Sequence, residues 1–182
     1  MSLEVTERVA GLRALAHPLR LQMLSVLTGA AMSAAELARE LHISQALASY
    51  HLRQLVAAEL LDLAEVRSQR GGQERRYRYR LPTTDTTDLQ FADDAALALF
   101  VEAVCGELRR RSQQRASGSQ GLSVDAELWV RPQDWEHARD AVKDAAAGLH
   151  RRARRPHEPG AVHVNATVLM FQMTDRAGPS AL

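Results

Sequence analysis

Six arginines crowd the 15 residues from Val66 to Arg80, at positions 67, 70, 75, 76, 78 and 80, and Glu74 is the one acid among them. A guanidinium is a planar fork of N–H donors that fits a phosphate or the edge of a guanine, so the cluster suits contact with nucleic acid. Shortly before it, Gln45, Ala46, Ser49, Tyr50 and Arg53 fall on one face of a helix. That face is short and mostly polar. It can enter a major groove, where Gln favours adenine and Arg favours guanine. A solvated helix face looks the same by itself, and it is the arginine cluster after it that favours DNA.

Other chemistries find little support. Cys105 is the only cysteine, which excludes an intramolecular disulfide and a multi-cysteine zinc site. It follows an apolar stretch and is expected to be a buried thiol. Four of the seven histidines, His137, His150, His157 and His163, lie near the C-terminus. His137 and His150 are 13 residues apart and would point nearly oppositely on a helix, so surface or hydrogen-bonded roles are expected. His17 is expected in the turn before Pro18, and His51 as a part-buried helix residue. No phosphate-binding glycine loop, G-x-S-x-G, H-E-x-x-H or C-x-x-C occurs. No enzyme activity, metal or cofactor is expected.

The charge is uneven. The whole chain of 182 residues carries only +1, which by itself argues against a uniformly basic nucleic-acid coat. Residues 1–80, however, hold 11 Arg against 8 acids. From Thr83 to Leu108 there are six acids and no Lys or Arg, and Arg109-Arg110-Arg111 follows. No apolar run approaches the roughly 20 residues of a membrane span, and the N-terminus lacks a signal-peptide core. A cytoplasmic protein without a membrane partner is expected.

The positioning elements can be read from periodicity. Leu3, Val5, Val9, Leu12 and Leu15 mark a first helix. A second starts at His17-Pro18, since proline suits the first turn, and stops near Gly29. Ser33 with Glu36 forms a capping box ahead of a short helix, Ala34 to Leu41. Ser44 caps the next, Gln45 to about Ala58. Its inward stripe is Ala48, Leu52 and Leu55. Two short helices joined by a tight turn make a helix-turn-helix. Leu60 to Val66 and Tyr77 to Leu81 are expected as strands around an Arg70-Gly71-Gly72-Gln73 turn, so the hairpin carries the arginines. A polar connector, residues 82–88, leads to a long helix from Asp93 to about Gln114. Its acidic start and Arg-rich end complement the helix dipole. ASGSQGLS at 116–123 is a linker.

Residues 12–81 resemble the ArsR-type (arsenical-repressor-like) winged-helix transcription regulators. The resemblance is carried in order by LRALAHPLRLQMLSVL, MSAAELARELHIS, SQALASYHLRQLVAAELL and RGGQERRYRYRL. It implies a wing that reaches backbone phosphates or the minor groove. Glu59 stands where the family usually has a glycine after the recognition helix, a position that often needs positive φ. The family's arsenic and cadmium sensors place cysteines in the first helix of the motif, where AELARELH has none. Its zinc sensors place Asp, His and Glu on the terminal helix, where ADDAALALFVEAVCGELRRR has no histidine. The chain therefore resembles a non-metal-sensing branch with an extra C-terminal domain.

That last part is expected to be a small β-α-β unit. Residues 125–131 and 162–173 are the strands, and Pro132 to about Arg152 is the helix, with Trp135, Ala138, Val142, Ala145 and Leu149 on one stripe. Trp129, Trp135, Leu128, Val130, Leu169 and Phe171 are expected as core. So small a unit buries little alone, and it is expected to pair with a second copy or to pack on the long helix.

The expected fold is mainly α with small β. A winged helix-turn-helix covers 1–82, a connector and long dimerisation helix 83–116, and a β-α-β domain 117–182 for dimerisation or effector binding. The expected function is a homodimeric, sequence-specific regulator of transcription that binds double-stranded DNA at an inverted repeat. It would act as a repressor released by a small apolar effector, held in a cleft lined by Trp and Met. The alternative is a winged-helix protein-interaction module. The expected DNA-facing residues are Ser44, Gln45, Ala46, Ser49, Tyr50, Arg53, Arg67, Arg70, Arg75, Arg76 and Arg78. The expected dimer stripe is Leu97, Phe100, Val101, Val104 and Leu108.

Overall fold

A computed structural model of the chain describes residues 12–69, 72–80 and 94–174. Most of the expected first helix, Arg70 and the 82–88 connector lie outside them. The fold is mainly α with a small β component, and the first three helices each start at a local capping signal. Helix α1 (Pro18–Gly29) starts where His17, in extended backbone, accepts the Leu19 N–H on its Nδ1 at 3.2 Å. Pro18 occupies the first turn, where its missing N–H costs nothing. Helix α2 (Ala34–Glu40) opens on the expected capping box. Ser33 Oγ accepts from the Glu36 N–H at 3.3 Å, and the Glu36 carboxylate accepts from the Ser33 N–H at 2.8 Å. Helix α3 (Gln45–Ala57) opens on Ser44, whose hydroxyl accepts from the Leu47 N–H.

Helices α2 and α3 both end on a left-handed residue. His42 has φ 54° and Glu59 has φ 57°. In each case the next N–H reaches back into the last helical turn: Ile43 to the Ala38 carbonyl and Leu60 to the Leu55 carbonyl, both at 3.0 Å. These are Schellman closures, which satisfy carbonyls that a helix end would leave unpaired. The turn expected to need a glycine at position 59 is thus present, occupied by a strained glutamate.

Strands β1 (Leu61–Gln69) and β2 (Gly72–Tyr79) form an antiparallel hairpin. Leu61 faces Tyr79 and Gln69 faces Gly72, with a bulge between Leu63 and Glu65. The strands run further toward the tip than expected. Met32 adds a short bridge to Tyr77 through two 2.9 Å hydrogen bonds. The core beneath joins Met23, Leu24 and Leu27 of α1 to Leu37 of α2, Ala48, Leu52 and Leu55 of α3, and Leu61. Tyr77 and Tyr79 pack on its edge.

Helix α4 (Asp94–Ser112) lies against α1. Its buried line is Ala96, Phe100, Ala103 and Glu107, at i, i+4, i+7 and i+11. It shares only Phe100 with the expected dimer stripe. Phe100 turns inward onto Leu12, Leu97 and Val104 flank it, Val101 is half-buried and Leu108 is exposed. Cys105 is exposed, against expectation, because it sits off the buried line.

Helix α5 (Pro132–Arg151) forms as expected, but the β-α-β unit around it does not. Residues 125–131 and 162–173 enter no β ladder among the described residues. Leu128, Trp129, Val130 and Phe171 are exposed (Trp129 at 80%), and of the expected core only Leu169 packs onto the α1–α4 cluster. On α5, Trp135 and Val142 are half-buried, while Ala138, Ala145 and Leu149 are exposed. A β-prone segment becomes a strand only when a neighbour takes its N–H and C=O groups, and neither segment pairs with the hairpin or with the other. The loop after α5 does dock. The Arg154 carbonyl occupies the place where a side chain on Gly29 would begin, and His157 Nε2 is 3.1 Å from Glu40 Oε1.

Replacing Glu59 by glycine should relieve the left-handed strain and stabilise the fold by about 1 kcal/mol. Urea unfolding checks this: the midpoint should rise at unchanged slope.

Candidate nucleic-acid interface

Helix α3 divides its residues as amphipathic spacing requires. Ala48, His51, Leu52 and Leu55 are buried, while Gln45, Ala46, Tyr50 and Arg53 are exposed and Ser49 is half-buried. Burial of the first set turns the second outward as one continuous polar face. Ser44 adjoins it, with its hydroxyl oxygen committed to the cap.

The hairpin sorts its arginines. Arg75 and Arg78 are exposed. Arg67 is half-exposed, and its Nε donates to Glu65 at 2.6 Å. Hydrogen bonding to that carboxylate pushes the Arg67 guanidinium up and the Glu65 carboxyl down from their ordinary ranges. Arg70 lies outside the described residues. Arg80 is held by Asp62 at 2.7 Å, with Glu59 at 3.8 Å.

Arg76 differs from the others. Its side chain is only 17% exposed, its Nη2 donates to the Ala31 carbonyl at 2.7 Å and lies 3.1 Å from the Glu36 carboxylate. Glu36 also closes the capping box of α2. Arg76 therefore ties the wing to the start of the helix-turn-helix. Sequence spacing could not separate it from Arg75, because the deciding contacts come from residues some 40 positions away.

A second arrangement went unrecognised in the sequence. Behind α3, the His17 and His51 rings lie 4.6 Å apart, and Tyr50 meets His51 edge-on at 5.1 Å. Arg20 sits beside them, donating through Nε to the Ala14 carbonyl and through Nη2 to the Arg13 carbonyl at 2.9 Å. Burial lowers the pKa of both histidines, and the Arg20 charge lowers both further. His51 is 4% exposed, and its Nδ1 has no hydrogen-bond partner among the described residues. His17 must keep Nδ1 unprotonated to accept the Leu19 N–H. Both shifts favour the neutral ring. Among the described residues, no group of three or more His, Cys, Asp or Glu could hold a metal ion. No helix among them is long and apolar enough to cross a membrane.

Residues 15–64 match the family described as a helix-turn-helix domain. The match spans α1, α2, α3 and the start of β1, the elements that build the exposed polar face, and it supports a DNA-binding regulator of the winged-helix kind. No curated protein matches the chain.

The histidine pair sets an acid dependence. Both folded pKa values lie below the unfolded value of about 6.5, so the unfolded chain binds protons first as pH falls. Stability should be full above about pH 6.5 and decline as pH drops below it. His51→Leu keeps the site filled without a titrating ring and should weaken that decline. Urea midpoints measured across the range would show an unchanged decline if the pair were not its source.

Proposed function

We propose that the protein is a homodimeric regulator of transcription, similar to the ArsR type, that binds an inverted repeat in double-stranded DNA and represses until a small molecule releases it. The observation that carries this is the exposed face of α3, with Gln45, Ala46, Tyr50 and Arg53, set beside a hairpin whose Arg75 and Arg78 point to solvent. Gln45, Ser49, Tyr50 and Arg53 read base edges, and each well-placed bidentate contact is worth about 1–3 kcal/mol of discrimination. Arg75, Arg78, Arg67 and Arg70 meet phosphates and set the register.

Dimerisation is supported by apolar surface that one chain leaves open. Leu97, Val101 and Leu108 flank the buried line of α4, and Leu128, Val130, Val162, Val164 and Val168 stand exposed in the C-terminal segments. Two copies related by a two-fold axis present two recognition helices, which fit half-sites about 34 Å apart. The 117–182 segment serves as the dimer and effector part.

Gel retardation of the chain's own upstream DNA across a salt series tests this. The Arg75→Ala, Arg78→Ala double variant should reduce the slope of log affinity against log salt by about 2, since each phosphate neutralised contributes about 0.9 to it. Arg76→Ala should instead lower folding stability by about 2 kcal/mol, because its charged hydrogen bonds disappear. An unchanged salt slope in the double variant overturns the wing assignment. Failure to retard any upstream fragment at low salt favours a protein-interaction module.

A further inference from the structure

A groove of about 310 Å³ lies where α1, α4 and the C-terminal segment meet. Neither Trp nor Met, the residues expected to line an effector cleft, lines it. Its apolar walls include Leu21 and Leu24 of α1, Phe100 and Val104 of α4, and Val168 and Leu169. The volume sits at the low end of the roughly 300–1,000 Å³ of small-molecule sites and has room for about ten groups of water size.

Its polar edge is built from one buried network. Glu107 is 3% exposed and lies in the groove wall. Gln22 donates to it at 2.6 Å, Arg110 at 2.9 Å, and Arg111 Nε lies 3.3 Å away. Burial would raise the Glu107 carboxyl, but hydrogen bonds from Arg110 and Gln22 and the two guanidinium charges hold it low. Among the described residues two guanidiniums therefore face one carboxylate, a local excess of positive charge. Arg111 is held over the groove at three points, with Nη1 on Asn165 Oδ1 at 3.2 Å and Nη2 on Ser25 Oγ at 3.3 Å. Each of these two terminal nitrogens carries a second N–H that these bonds do not use. Tyr79 also lines the groove with a phenol that burial keeps protonated and able to donate. Donors, an excess positive charge and apolar walls of this size select one ligand chemistry.

We propose that this groove binds a small amphiphilic monocarboxylate, its carboxylate on Arg111 and its apolar body against Phe100, Val104 and Leu169. The proposal rests on the regulator reading for its purpose, since the ligand would be the effector. The walls connect to the DNA-facing unit directly. Leu24 belongs both to the groove and to the helix-turn-helix core, and Tyr79 ends the wing. A ligand wedged between α1 and α4 would shift the DNA-facing unit relative to the long helix, and so change the spacing of the two recognition helices.

The test is calorimetric titration of the full chain, without DNA, using phenylacetate and octanoate, each beside its neutral amide. The carboxylates should bind at least about tenfold tighter than the amides. Ala166→Trp fills the groove from an exposed segment, so it should abolish binding of all four probes with an unchanged unfolding midpoint. Arg111→Lys keeps the charge but loses the fork, and should weaken carboxylate binding about tenfold. Absence of carboxylate binding to the unmodified chain, equal binding of the amides, or undiminished binding to Ala166→Trp would each overturn the site. Since no DNA is present, a chain that binds carboxylate but retards no DNA keeps the site and loses the regulator reading.

Discussion

Helix α1 has to be covered on two sides, and the rest of the molecule is arranged around that need. Met23, Leu24 and Leu27 on one side are buried by α2, α3 and the base of the hairpin. On another side, Leu21, Gln22 and Ser25 face α4. Burying the first set folds the helix-turn-helix and forces the polar side of α3 outward. Burying the second fastens that unit to α4, through an apolar cluster and the buried Glu107 network. A helix used on both faces transmits displacement, because neither neighbour can shift without α1 following or a cavity opening. This is why a groove between α1 and α4 sits in a position to influence the DNA-facing side.

Arginine serves opposite purposes within a few residues of chain. Arg76 and Arg111 are inward-facing ties, each reaching a carboxylate and a carbonyl, hydroxyl or amide oxygen through its terminal nitrogens or Nε, although the Nε of Arg76 has no hydrogen-bond partner among the described residues. Arg53, Arg75 and Arg78 are outward. The partition follows desolvation: a guanidinium can be drawn into the structure only where acceptors await it, and otherwise it stays in water. The near-neutral total charge hides this, because the same residue type supplies the internal ion pairs and the exposed positive surface.

The C-terminal part is governed by an unmet requirement. Residues 122–130 and 162–173 carry Val, Leu, Trp, Phe and Met in patterns that suit a half-buried sheet, yet they form no strand and are largely exposed. A segment outside a ladder leaves much of its apolar surface in water. Exposed apolar surface of this kind is what interaction sites are made of.

Much of the DNA-facing unit was legible from local pattern. The Ser33–Glu36 capping box, the Ser44 cap, Pro18 in the first turn and the Ala48, Leu52, Leu55 stripe are short-range features, and each is present in the structure. Even the positive φ at Glu59 was foreshadowed by the missing glycine. The buried line of α4 was not legible, because alanine and glutamate at 96, 103 and 107 give little hydrophobic signal. Glu107 is buried only because Gln22, Arg110 and Arg111 converge on it. By itself the sequence determined helix starts and stops, the outward face of α3 and the presence of an arginine-rich hairpin, since these rest on contacts within a few residues. Only the tertiary structure decided which arginines turn inward, which face of α4 is buried and whether the β-prone segments become strands. Those outcomes depend on partners far along the chain, or outside it, that no local pattern specifies.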